Sequence, residues 1–279
     1  MVVSDLSVAT RQFTQLGFTV TSGGVHAGGL THNALIPFAD GSYIELLTTR
    51  RRLMATIIKI IHISRMMNIY PPAKTSINKR LLTGIAKGVG LSDIALLSVD
   101  LDDKVNSIRE RGISLEGPSP GSRQRPDGKL VSWRTAIPTV SGLPFLIEDI
   151  TPRILRVPGG KGHRHVNYVS GVSNVIIAVR DFKMWAAHYS ALLGIEPQTP
   201  CRSSQAGMRS VDFSLGSTLL TLVEPAKENT TMRKFLANHQ ARPLVIWMRT
   251  NSPDGPNLLA LTHLSSQCIT LSPATPWGF

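Results

Sequence analysis

Cysteine is almost missing from this chain: Cys201 and Cys268 are the only two in 279 residues. Two thiols cannot build the disulfide framework of a small secreted domain, and neither stands in a CxxC or Cys/His cluster that would hold zinc. Both are expected to be buried small hydrophobes in a reducing compartment. Acidic residues are missing from one long stretch, since Arg50 to Gly90 holds nine Lys or Arg and no Asp or Glu. That stretch carries +9 of the net charge of +12, leaving +3 for the rest of the chain. A basic balance confined to one segment does not make a nucleic-acid binder, and there is no stacking platform, recognition-helix pattern or zinc spacing. Long apolar runs are also lacking. The longest, Leu53 to Tyr70, is broken by Lys59, His62 and Arg65 and is too polar to span a membrane. No N-terminal stretch has the order of a signal peptide. There is no GxSxG nucleophile elbow, since Gly117-Pro118-Ser119-Pro120-Gly121 has a proline on each side of the serine, and P-loop, HExxH and GxGxxG motifs are absent. These absences lead to the expectation of a soluble, cytoplasmic protein with a small-molecule partner, no nucleic acid and no membrane.

The 42% hydrophobic content is enough for a packed core. Its pattern centres on Gly23–Leu47, which reads as strand, tight turn, strand. Leu30 to Phe38 is the first strand, Ala39-Asp40-Gly41-Ser42 the turn, and Tyr43 to Leu47 the second strand. Alternation puts His32, Ala34 and Ile36 on one face, and Tyr43, Glu45 and Leu47 on one face of the next strand. A carboxylate between Ile44 and Leu46 either points to water or lines a cavity and meets a cation, metal or polar ligand. Gly23-Gly24 and Gly28-Gly29 read as turn glycines.

Before this stretch, Ser4 or Asp5 caps a helix carrying Leu6, Ala9, Phe13 and Leu16 at helical spacing, and Gly17 ends it. A strand begins at Phe18, whereas the strand that should precede the helix is almost absent. Thr48 to Val89 is the basic insertion, with helical spacing over Leu53–Met67 and Lys79–Ala86, read as a solvated, loosely packed segment. The order then restarts. Ser92–Val99 is a strand, Asp100 or Asp102 caps a helix over Leu101–Arg111, Ile113 enters a strand, Ser122–Asp127 is a polar loop, and Leu130–Ala136 and Leu143–Glu148 are strands. A third copy runs from Asn174–Val179 through a helix over Asp181–Leu193 to a hairpin around Gly216. Leu244–Arg249 and Gln267–Leu271 are the strands of a reduced fourth. The fold class is therefore α+β, built of repeated β-α-β-β-β modules. Residues 1–150 hold two modules with the insertion at 48–90, 151–171 form a linker, and 172–279 hold the third and reduced fourth modules.

With these repeats and the motifs THNALIPF, YIELL, SRQRPDG, WRT, PFLIED and HVNYVSGV, the chain resembles the vicinal oxygen chelate superfamily, and within it the glyoxalase-like group. The resemblance implies curved mixed sheets around a cleft, and a lyase, isomerase or dioxygenase acting on an oxygenated organic substrate. The alternatives it leaves open are a metal-free binding or resistance-type protein, or an inactive truncated relative. It also implies a divalent metal held by the first and last strands of each module, acting as a Lewis acid. The last-strand positions fall on Glu45 and Glu148, and near Thr221 in copy three. The first-strand positions fall near Asp93 and Asn174, and copy one has no counterpart. Glu45, Glu148 and Asp93 make an all-oxygen set suited to a hard cation, so the expected metal site is incomplete and no cofactor is certain. The missing strand leaves an open sheet edge for a partner, such as a second copy in a homodimer, or reflects an incomplete N-terminus.

Other polar groups are candidates for the cleft. Glu45, Glu148, His32 and Arg134 are the catalytic candidates. Asn33, Trp133, His165 and Asn167 are the substrate-binding ones, supplying hydrogen bonds, an aromatic wall and a histidine that titrates near neutrality. Each also has a structural explanation: His32 as a bonded strand residue, Arg134 as the counter-charge of a glutamate, and His163 and His165 as a solvated loop pair.

Overall fold

Asp5 opens the first helix by accepting a hydrogen bond from the Val8 amide at 3.0 Å, which gives α1 over Leu6–Gln15. Gly17, at φ +86°, turns the chain out of it. The computed structural model describes residues 1–70, 76–198, 201–203, 208–226, 230–236, 241–265 and 268–273. Three antiparallel strands follow α1: β1 (Thr21–His26), β2 (Thr31–Pro37) and β3 (Tyr43–Thr49). The first begins later than Phe18, and it contains Gly23 and Gly24 at a bulge, so only Gly28 and Gly29 belong to a turn. The strand expected to precede α1 is reduced to a bridge, in which Val3 N donates to Leu47 O and Leu47 N to Met1 O, both at 2.9 Å. Met1–Val3 thus takes up part of the edge that was expected to be open.

The basic insertion folds as two helices, α2 (Arg52–Ile63) and α3 (Ser76–Lys87). It is not a loosely packed segment. Ile58 and Met67 pack with Leu82, Ile85 and Val2 in a small core, and Arg80 is tied to Asp93 and to Leu143 O. The second module is β4 (Ala95–Leu97), α4 (Leu101–Glu110), β5 (Leu115–Gln124), β6 (Leu130–Pro138) and β7 (Phe145–Asp149). Here the strand expected over Ser92–Val99 is shorter, and Ser122–Gln124 continue a strand instead of opening a loop. The segment after β7 carries a turn of helix, α5 (Arg153–Arg156). Then come β8 (Val169–Val179), α6 (Phe182–Leu193), β9 (Cys201–Ser203), β10 (Met208–Leu215), β11 (Thr218–Glu224), α7 (Thr230–Phe235), β12 (Ala241–Thr250), β13 (Leu258–Ser265) and β14 (Cys268–Pro273). The side chains of Cys201 and Cys268 lie outside the described residues.

Two seven-stranded sheets result, with orders β3-β2-β1-β5-β6-β7-β4 and β14-β13-β12-β8-β11-β10-β9. Both are mixed, since β4 runs parallel to β7 and β8 parallel to β11. Helices lie between their outer faces. Leu101, Val105 and Ile108 of α4 meet Trp185, Tyr189 and Leu192 of α6 in one core that draws on both sheets. Phe13 of α1 joins Ile36, Leu46, Met248 and Leu261 in another. The outer faces are thereby committed to packing, and any site must lie on an inner face or at a sheet edge.

His165 and Asn167 pin α1 to the rest of the molecule. His165 is 8% exposed between the rings of Phe18 and Phe38. Its Nδ1 accepts from Thr19 N and its Nε2 meets Pro37 O, both at 2.9 Å. The first contact leaves the proton on Nε2. Asn167 donates to Leu16 O at 2.8 Å, closing the end of α1. Burial pushes the His165 pKa below its ordinary value. The native ring is therefore neutral where the unfolded ring takes up a proton. Its contribution to stability is complete above about pH 6.5 and is lost as pH falls through the native value. His165→Ala is expected to lower stability by about 3 kcal/mol at pH 8. It should also flatten the loss between pH 7 and pH 5, and denaturant melts at three pH values check both effects.

Candidate functional site

The pairing registers sort the candidates of the first sheet onto two faces. Gly121 pairs with Trp133 and Trp133 with Asp149, while Arg134 pairs with Glu148. Strand alternation then puts Trp133, Thr135 and Asp149 on one face and Arg134 and Glu148 on the other. Glu45 belongs with the first group. Its Oε1 accepts from Asn33 Nδ2 at 2.5 Å and lies 3.6 Å from His26 Nε2, and the His26 ring meets the Trp133 ring edge-on at 6.1 Å.

Glu148 faces the helices. It accepts from the Leu101 amide at the start of α4 and from Arg134, which also pairs with Asp102. Asp93 stands before β4 with both oxygens on Arg80 at 2.5 Å. Glu45, Glu148 and Asp93 are therefore not brought together. Among the described residues no three His, Cys, Asp or Glu side chains converge as metal ligands. His26 and Glu45 offer a metal two donors, and Asp149 is occupied by arginines, so the residues present do not fit a three-ligand centre. His32 is on the face opposite Glu45, where burial and Arg50 push its pKa down. In the second sheet Asn174 and Thr221 do meet. The Asn174 amide donates to Thr221 Oγ1 at 2.9 Å, and that hydroxyl reaches Asp212 at 2.5 Å, a closed hydrogen-bond set.

Residues that the sequence did not single out build the rest of the inner face. The α5 segment lies across it, and Arg156, 3% exposed, donates to Asp149 and to the Tyr43 hydroxyl. Arg153 bridges Asp149 and Gly41 O, and Arg123 donates to Arg156 O. Burial alone would lower the Arg156 pKa, but Asp149 and Tyr43 raise it overall. Burial pushes the Asp149 carboxyl up, and the two arginines more than reverse this. Three buried polar atoms on inner-face residues have no protein partner: Asn33 Oδ1, Arg123 Nε and Thr135 Oγ1. No local signal in the sequence marks His26 or Arg156, and Arg123 stands in the SRQRPDG motif with no role assigned to it, because their roles depend on strand pairing and on where the linker lies.

Edges β3 and β4 of this sheet face each other across a cavity of about 450 Å³. Tyr43, Glu45, Leu47, Leu97 and Phe145 line it, with the Arg80–Asp93 pair on its wall. Glu45 keeps 32% of its side-chain surface accessible, so a molecule in the cavity can reach it. Burial pushes the Glu45 carboxyl up, but His26, the Asn33 amide and Arg123 outweigh it and hold the pKa below the ordinary value. His26 is itself pushed down by burial and by Arg123. At neutral pH the pair rests as a carboxylate beside a neutral ring.

A curved mixed sheet of paired β-α-β-β-β modules is the fold expected of the vicinal oxygen chelate superfamily. More particularly, the glyoxalase-like domain family matches residues 1–193, and the chain belongs to that family. No curated protein matches the chain. Among solved structures, a hypothetical protein from Staphylococcus aureus is similar over 88% of this chain and 87% of its own, at 13% identity and a TM-score of 0.64. A mutant 4-hydroxymandelate synthase from Streptomyces coelicolor is similar over 90% of this chain and 69% of its own, at 12% identity and a TM-score of 0.55. The methylmalonyl-CoA epimerase of Mycobacterium tuberculosis matches 35% of this chain and 81% of its own, at 18% identity and a TM-score of 0.29.

A Cβ added at Gly23 would sit 2.0 Å from Asn33 Oδ1. Gly23→Ala should therefore displace the Asn33 amide, and Asn33→Ala removes it. Both variants are expected to raise the Glu45 pKa above the wild-type value, read by carbon NMR titration of the labelled carboxyl, with Gly23→Ala giving the smaller rise.

Proposed function

We propose that this protein is a small-molecule enzyme of the isomerase or lyase kind, moving a proton at a carbon next to a carbonyl group. Glu45 carries this reading: an ionised, accessible carboxylate at the wall of a cavity large enough for a small organic molecule. In the reaction the substrate C–H bond breaks, its proton passes to a Glu45 oxygen, and the electron pair moves onto the carbonyl oxygen. The developing oxyanion needs donors, and Arg123 Nε and Thr135 Oγ1 are unpaired buried donors on the same sheet face, behind the lining of the cavity. Asn33 fixes the carboxylate, and His26 beside it is placed to exchange the proton. Glu148 and Arg134 act in this scheme only by holding α4 to the sheet, and His165 and Asn167 by holding α1.

A second reading is a binding protein without turnover, favoured by the α5 segment that fills part of the inner face through Arg156.

Incubation in D2O with a panel of 2-oxo acids, acyl thioesters and 2-hydroxy ketones, followed by proton NMR, separates the two. Wild-type protein should wash out the proton next to the carbonyl of at least one compound, and Glu45→Gln should slow this by about 10²–10⁴-fold. A compound that raises the melting midpoint without losing its proton would move the function to binding.

A further inference from the structure

Beyond the Arg80–Asp93 pair lies a second cavity of about 330 Å³, walled by α3, residues 137–144 and the start of β12. Its charge is unbalanced. Lys79, Arg80, Lys87 and Arg242 face Asp93 and Glu116, and Asp93 is already committed to Arg80 through two bonds of 2.5 Å. Among the described residues no carboxylate pairs with Lys87 or Arg242. Arg242 instead lies over the Phe235 ring at 4.6 Å. Burial and the charge of Arg242 push the Lys87 pKa down, as expected where cations crowd without a counter-charge. Such crowding costs stability, and folded proteins offset it with paired charges or a bound ion. The walls add neutral hydroxyl groups from Thr83, Ser92 and Ser141.

This cavity adjoins the one that contains Glu45. Both are lined by Arg80, Ser92, Asp93, Ile94 and Pro243. The ion pair is the partition between a cationic compartment and a largely apolar one.

We propose that the cationic cavity is an oxyanion site, and that the anion it takes is the head of a ligand whose apolar part extends into the Glu45 cavity. The first half stands on the charges of the second cavity alone. The second half rests on the reading of the Glu45 cavity as the ligand site, and it narrows the substrate class to an anionic amphipathic molecule such as a phosphate or carboxylate with a short apolar body. Lys87 and Arg242 supply the charge, Arg242 held by its ring contact. The Arg80–Asp93 pair sets the boundary at which head and body divide.

Inorganic phosphate and acetate are the first probes, titrated against the full chain by calorimetry and thermal shift at constant ionic strength. Phosphate is expected to raise the midpoint more than an equivalent addition of sodium chloride, and Lys87→Gln and Arg242→Gln should each weaken it about 10-fold. Acetate binding more tightly than phosphate would assign the head as a carboxylate; the reverse order assigns it as a phosphate. Lys87→Gln should fold as stably as wild type without phosphate, because it removes a cation that has no carboxylate partner, whereas Arg242→Gln also gives up the Phe235 ring contact and is compared at its own midpoint. No phosphate or acetate response, or an equal response in both variants and wild type, would overturn the anion site.

Hexyl phosphate tests the second half. It should bind at least ~10-fold more tightly than inorganic phosphate, and Leu97→Trp should erase that advantage while leaving inorganic phosphate binding unchanged. Equal affinity for the two phosphates would sever the cavities and overturn the second half. Glu45→Gln should leave phosphate binding as it is, so loss of proton exchange and loss of the anion site are read separately.

Discussion

The inner face of the first sheet depends on one buried ion pair, Arg156 with Asp149. Neither group can be left alone there. A buried arginine without its carboxylate, or the reverse, costs about 3–5 kcal/mol. The pair fixes the linker across the sheet, and the same guanidinium reaches the Tyr43 hydroxyl on the far edge strand. One side chain therefore ties β7 to β3 from inside, and Arg123 adds the middle of the sheet by holding the Arg156 carbonyl. The curvature that brings the edges toward one another is secured where the Glu45 cavity needs it.

This arrangement inverts the usual use of a sheet. The outer faces are buried against α1, α4 and α6 in apolar cores, and the inner face carries the charge. Charges placed there interact strongly, because little water screens them. Glu45 stays ionised at neutral pH because its pKa lies below the ordinary carboxylate value, with the Asn33 amide and Arg123 acting against its burial. Gly23 and Gly121 are part of the same design for steric reasons. A Cβ at Gly23 would meet Asn33 Oδ1 at 2.0 Å, and one at Gly121 would meet Trp133 Nε1 at 2.3 Å. Bare strand positions make room for the side chains that shape the site.

The inserted helices alter the molecule locally. Arg80 of α3 claims Asp93, which the superfamily resemblance had offered to a metal. The third module shows a comparable substitution, where Asn174, Thr221 and Asp212 satisfy one another by hydrogen bonds.

Local chemistry made much of the fold legible. Asp5 and Asp100, each one of two cap candidates, do open their helices, Asp181, read as the first helical residue, is the cap of the third, and the hairpin of Tyr43 with Pro37 follows its turn residues. The repeat of these units carried the fold class. Glu45 was visible too, as a carboxylate in an apolar strand. The limit was the face. Glu45 and Glu148 occupy similar places in their motifs, but a strand turns successive side chains to opposite sides, so a one-residue difference in register sends Glu148 to α4 and leaves Asp149 inside. His26, Arg123 and Arg156 are unremarkable in sequence, because they become neighbours only when β1 pairs with β5 and the linker crosses the sheet. The sequence by itself determined the modules, their caps and turns, since these arise from residues within a few positions of each other. Tertiary structure alone decided which charges meet, because that depends on pairing register and on a linker whose path no local propensity sets.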